Sequence, residues 1–156
     1  MYIVDDELIR KQETKGRNIF LTCNPQMQWT ESQSKFDVWD LVGEKNDTKM
    51  YVEIKNREIK STSYSTSFLE LKKFKNLTEL ATSSTGITKA FYFVSYTDNV
   101  SYLFDLTKLK LDQLKVEKRW MKEVTLDNRR EYVEKEVIEL PLTAASKKYT
   151  ITYTYA

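Results

Sequence analysis

Apolar residues at helical spacing, Leu71, Phe74, Leu77 and Ala81, constrain this chain more than any other feature. They predict an amphipathic helix over 67–81, with Leu80 widening the stripe. Ser67 and Glu70 stand in the Ser-x-x-Glu spacing of a capping box at its start, and the Thr/Ser run at 82–85 with Gly86 marks its end. Such a helix buries one face and needs an apolar partner surface. The flanking segments supply one. Segments 36–42 and 50–54 read as a strand pair across the turn-rich 43–47, and 90–96 and 100–105 read as a hairpin across Thr97-Asp98-Asn99. A short helix over 5–15, closed by Gly16, opens the chain, and 18–22 reads as a short strand. Segment 24–35 reads as loop with some extended structure, and 56–66 as a polar surface loop. Strands are expected at 115–124 and 132–140, with Pro141 stopping the second, and an edge strand at 149–155, where Tyr149, Tyr153 and Tyr155 read as packing. The order predicts an α+β domain with a central mixed or antiparallel sheet.

The length, 156 residues, is that of one ordinary domain, and 40% hydrophobic with 31% charged residues is a folded rather than a disordered balance. No apolar run reaches bilayer length and residues 1–6 are acidic, so neither a membrane span nor a signal peptide is expected. The lone Cys23 excludes an internal disulfide, points to a reducing compartment and reads as a small buried hydrophobe. A cytoplasmic protein is expected, in the host cytoplasm if the chain is phage-encoded, an origin that suits its Lys, Asn, Thr, Tyr and Ile content.

The chain has no histidine at all. That removes Ser-His-Asp and Cys-His catalysis, a histidine base and every histidine metal site; the serines have no base to activate them. With one cysteine, thiolate zinc sites go too. What remains is chemistry by Asp, Glu, Lys, Tyr or Ser, and hard cations held by oxygen. The net charge of +2 means that nucleic acid must be met by local basic patches.

Glu53-Ile54-Lys55 closes the apolar strand Tyr51-Val52-Glu53-Ile54, so Glu53 and Lys55 share a face. A hairpin register pairing Leu41 with Lys49 and Trp39 with Tyr51 sets Asp37 opposite Glu53. Carboxylates that close repel unless a cation lies between them, and a divalent metal suits the place, with Lys55 beside it to orient or deprotonate a water. The same residues also read as a solvated cross-strand pair bridged by Lys55.

Asp37, a hairpin and then Glu53-Ile54-Lys55 resemble the PD-(D/E)XK nuclease superfamily. The helix with Glu70 and Lys73, followed by a strand hairpin, is similar to the same core, and the αβββαβ order extends the likeness over about 5–106, leaving a β-rich C-terminal extension over 107–156. Lys35-Phe36 stands where a proline often precedes the first aspartate. The resemblance implies a restriction-endonuclease-like fold and a Mg²⁺-dependent nuclease, Mn²⁺ substituting, that hydrolyses phosphodiester bonds in DNA ahead of RNA, as a monomer or a homodimer. It implies that Asp37 and Glu53 ligate the metal with the backbone carbonyl of Ile54, that Lys55 serves the attacking water, and that Glu7 matches an acidic residue of the first helix. Glu70 and Lys73 are further site candidates, although Glu70 also reads as a cap. Arg57, Lys60, Lys72 and Lys75 are candidate phosphate contacts; the lysines at 72, 73 and 75 equally fit a solvated helix face. The 60–64 stretch reads as a flexible loop beside the site. The alternatives are a non-catalytic nucleic-acid-binding module of the same fold and a protein-interaction domain.

Overall fold

A computed structural model describes residues 6–34, 37–83, 87–122 and 132–152. Helix α1 spans Asp6–Cys23 and runs through Gly16 instead of ending there. A β-carbon at Gly16 would meet Ile54 Cγ2 at 3.1 Å and Asn56 Cβ at 3.4 Å, so the glycine serves a close approach of helix to strand, not a stop. The segment read as a strand at 18–22 is helical because Phe20 seats beneath the sheet, and α1 closes where Asn24 donates its backbone N–H and its side-chain amide to the Phe20 carbonyl.

Strands β1 (Gln28–Glu31), β2 (Leu41–Lys45) and β3 (Thr48–Asn56) form an antiparallel meander. The β2–β3 turn is only Asn46-Asp47, with Asn46 at φ 56°. Gly43, read as part of the turn, lies inside β2, where the Trp29 ring occupies the space a β-carbon would need. β4 (Thr66–Glu70) replaces the expected first turn of the second helix: α2 spans Leu71–Ser83, and Ser67 and Glu70 are strand residues, so the capping box is not formed. The Ser67 hydroxyl instead lies 3.4 Å from the Tyr92 hydroxyl. β5 (Ile87–Ser95) and β6 (Val100–Asp105) form the expected hairpin. β7 (Lys115–Lys122), β8 (Tyr132–Pro141) and β9 (Lys147–Thr150) complete the chain. The expected strand end at 123–124, the helix terminators 84–86, Asp5, Lys35-Phe36, Tyr153 and Tyr155 lie outside the described residues.

One sheet has the order β1-β2-β3-β5-β6-β9 and is mixed, β3 and β5 being parallel; a smaller sheet has the order β4-β8-β7. This is the α+β architecture expected. The segments after 106 are joined to the core by pairing, β8 on β4 and β9 on β6. Alternation along β3 divides the core. Val52 and Ile54 face α1 with Phe20, Leu41 and Phe93, whereas Tyr51 belongs to the other face with Phe74, Leu77, Tyr92 and Val94. Phe74 and Leu77 are buried and Leu71, Leu80 and Ala81 half-buried, as the stripe requires. Tyr149 packs on Phe93, and Cys23 is a free, half-buried thiol. Among the described residues no helix is long and apolar enough to cross a membrane.

Candidate active site

At the C-terminal end of β3 a cleft of about 580 Å³ is lined from α1, the β1–β2 loop, β3, the β4–α2 junction and β8. Glu53 and Lys55 both line it, as their shared parity predicts. The residue beside Glu53 is not the one expected. The two-residue turn sets Leu41 opposite Val52 and Lys45 opposite Thr48, a three-residue shift from the register that paired Leu41 with Lys49. An odd shift changes which face every side chain takes. Asp40, not Asp37, therefore extends the pairing: its N–H donates to the Val52 carbonyl at 2.8 Å. Its Oδ2 accepts from the Ile54 N–H at 2.7 Å, standing in for a backbone carbonyl at the end of the ladder. This holds the Asp40 carboxylate within hydrogen-bonding reach of Glu53.

Asp37 also lines the cleft, but as an exposed loop residue. Its Oδ2 accepts from the Ser32 hydroxyl at 2.7 Å and the Ser34 N–H at 3.3 Å, which ties the β1–β2 loop together.

The Glu53 side chain is 12% exposed, against 21% for Glu70. Burial and the charge of Asp40 push its carboxyl up to about 7, against the pull of Lys73. Lys73, from the first turn of α2, donates to Glu53 Oε1 at 3.0 Å. Burial works to lower the Lys73 ammonium, but Glu53, with Glu70 and Asp40 behind it, outweighs burial and raises it. Lys55 moves the other way. Burial lowers its ammonium below the ordinary value, aided by Arg57 and Lys73 and opposed by Glu53 and Glu13.

The acid that α1 contributes is Glu13, with Gln12 and Arg17. Glu7, expected there, lies six residues earlier on a different face of the helix, about 79% exposed and 4.0 Å from Lys11. Gly16 is the signal that could have found Glu13: the residue that lets α1 touch β3 sets its own turn against Ile54 and Asn56, the neighbours of Lys55.

Glu70 lines the cleft and is held by Lys135 of β8 at 3.2 Å. Lys72 lines the cleft; Lys75 is exposed on α2 and outside it. Arg57 sits with its guanidinium 4.4 Å above the Phe68 ring, and Arg119 stacks on the same ring at 4.7 Å. Lys60 is exposed on the loop after β3. That loop is pinned rather than loose. The Ser61 N–H and hydroxyl donate to the Asp98 carboxylate at 3.1 and 2.6 Å, and Thr97 donates to the Ile59 carbonyl.

Among the described residues no three carboxylate or thiol side chains converge on one point. The cluster therefore offers a cation two carboxylates and whatever backbone oxygen lies near. That suits Mg²⁺, which commonly takes one or two carboxylates and keeps waters or substrate phosphates.

No family model and no curated protein matches the chain. Among solved structures it is similar to Hjc, a Holliday junction resolvase from the archaeal hyperthermophile Archaeoglobus fulgidus. The TM-score is 0.54 at 13% identity, over 88% of this chain and 90% of that one. At that identity the likeness is one of fold, and it is the restriction-endonuclease-like fold that the sequence resemblance implies.

Proposed function

We propose that this chain is a divalent-metal-dependent nuclease that hydrolyses phosphodiester bonds in DNA, with the cleft at the end of β3 as its active site. The observation that carries the reading is the enclosed Asp40–Glu53 pair with Lys55 on the same cleft wall. A carboxyl held near 7 by burial and a neighbouring carboxylate is costly to keep ionised, and a site that bears such a cost is one built for a cation. Asp40 and Glu53 would hold Mg²⁺, or Mn²⁺ in its place, with the Ile54 carbonyl as a backbone oxygen. When bound, the metal would polarise a phosphate oxygen and lower the pKa of a water.

The remaining work falls to the chain's own side chains. Lys55, its ammonium already shifted toward easier proton release, orients the water and manages its proton. Glu13, lining the same cleft from α1, adds a weak attraction on that ammonium. Arg57 is steadied by an aromatic ring rather than by a carboxylate, so its charge is available to a phosphate. Lys72 offers a further contact on the cleft wall itself, whereas Arg57 stands beyond that lining. Because the fold is shared with a Holliday junction resolvase, the four-way junction is the first DNA structure to offer. A homodimer would bring two clefts to two strands.

The test is incubation of the protein with four-way-junction, duplex, nicked and single-stranded DNA under Mg²⁺, Mn²⁺ or EDTA, beside Lys55→Ala. Metal-dependent cleavage that Lys55→Ala loses, with DNA binding retained, is the expected result. Equal trace cleavage by both proteins on every substrate would leave a non-catalytic DNA-binding module.

A further inference from the structure

Lys73 comes from α2, yet its Nζ lies 3.0 Å from Glu53 Oε1, on the acid that the nuclease reading gives to the metal. We infer that Lys73 is a built-in counter-ion of the Asp40–Glu53 pair, antagonistic to the metal until a DNA phosphate draws it away, so that metal and nucleic acid bind cooperatively. The inference rests on the nuclease reading and adds a regulation to the same site.

Three features of the contact support it. The first is its asymmetry: the Glu53 side chain is 12% exposed and that of Lys73 43%, so the acid is enclosed while the ammonium reaches it from the solvent side on a flexible stem. Leaving returns Lys73 to water, whereas the acids left behind must find another cation. The second is the surroundings. Glu70, also beside Lys73, is engaged by Lys135 at 3.2 Å, so charges alternate along the cleft from Lys135 through Glu70 and Lys73 to Glu53. A displaced Lys73 can thus stay near Glu70 while a phosphate approaching from the solvent side meets it. The third is exclusion. A divalent ion and an ammonium on one carboxylate repel each other, so each weakens the other's hold on Glu53. Linkage makes the effect reciprocal: a phosphate that takes Lys73 tightens metal binding, and metal binding frees Lys73 for phosphate.

The test is direct Mn²⁺ titration of the whole protein, followed by electron paramagnetic resonance, with and without a phosphorothioate-protected DNA duplex. Without DNA, Lys73→Met binds Mn²⁺ about tenfold more tightly than wild type, the scale of one moderate ion pair. Lys73→Arg stays as weak as wild type, and Glu53→Gln loses binding. Added duplex tightens Mn²⁺ binding in wild type and has little effect in Lys73→Met. Lys73→Gln, checked for native circular dichroism, stands in should the methionine variant misfold. Unchanged Mn²⁺ affinity in the folded Lys73 variants, with binding still lost in Glu53→Gln, overturns the counter-ion and leaves the nuclease reading standing. Absence of Mn²⁺ binding in wild type and Lys73 variants alike, with and without DNA, overturns both.

Discussion

Helix α1 contributes to two clefts of nearly equal volume, about 510 and 580 Å³, and they differ in how their charge is held. The smaller is lined by Glu7, Arg10, Lys11 and Lys15 along one helix, with Ile151 from the end of the chain. Its ion pair, Glu7 with Lys11, is an i,i+4 contact at 4.0 Å with both side chains more than 70% exposed. Such a pair is worth a few tenths of a kcal/mol and is what a solvated helix face provides anyway. The larger gathers Glu13, Asp40, Glu53, Lys55, Lys73 and Lys135 from separate elements and encloses some of them. Charge brought together from distant parts of the chain, at a cost in desolvation, distinguishes a site from a surface. Volume does not.

Removing one acid from each cleft separates the two most strongly. Asp40→Ala should reduce DNA cleavage at least about a hundredfold, the scale of losing one preorganised charge at a reacting centre. Glu7→Gln should stay within about twofold of wild type, in keeping with an exposed helix pair. Asp37→Ala, a loop tie at the rim of the cleft, should fall between them. Single-turnover rates under Mg²⁺ rank the three. Equal losses for Glu7→Gln and Asp40→Ala would put the site in the wrong cleft.

Stability should also depend on pH through the buried acid. The Glu53 carboxyl is raised from an ordinary value near 4.5 to about 7 in the folded state, so the folded chain binds the proton more tightly than the unfolded one. The cost of ionising it is absent below about 4.5, grows as pH rises and is fully present above about 7. Glu53→Gln should therefore raise Tm at pH 8 and bring a shrinking gain toward pH 5, measured by thermal denaturation without divalent metal. A Glu53→Gln gain independent of pH would remove the buried-acid argument.

The smallest effect expected is on binding. Arg57→Ala should weaken duplex affinity modestly and reduce the slope of log affinity on log salt by about 0.9, the share of one phosphate contact. Lys11→Ala, in the other cleft, should leave that slope unchanged. Salt titrations by fluorescence anisotropy decide between them, and an unaltered slope in Arg57→Ala would take Arg57 out of the interface.

Much of the fold was legible because it is written in short periods. The Leu71-Phe74-Leu77-Ala81 stripe places α2, and the apolar runs around Val52 and Phe93 place the parallel pair β3 and β5. Lys55 and Glu53 were legible as a pair for the same reason. Asp40 was not, since its place depends on counting the β2–β3 turn as two residues: Gly43 looks like a turn residue and is in fact the floor beneath Trp29. Asn46-Asp47 was the available signal, as asparagine tolerates the positive φ that Asn46 adopts. Glu13 was hidden likewise by Gly16, whose missing side chain reads as a helix end from the sequence and as a contact from the structure. The Ser67 and Glu70 spacing was a true pattern in the wrong element, because pairing with β8 outweighs a capping box.

By itself the sequence determined the chemical vocabulary of this protein. With no histidine and one cysteine, any site must be made of oxygens and amines, whatever the fold. It also determined the local periods, which depend on a few contiguous residues. Only the tertiary structure decided that Asp40 stands beside Glu53, that Lys73 reaches the same acid from another element, and that Glu13 and not Glu7 lines the cleft with Lys55. Those choices rest on register, on helix–strand approach and on which charges lose water together. Each of these is settled between segments far apart in the chain, where no local pattern reaches.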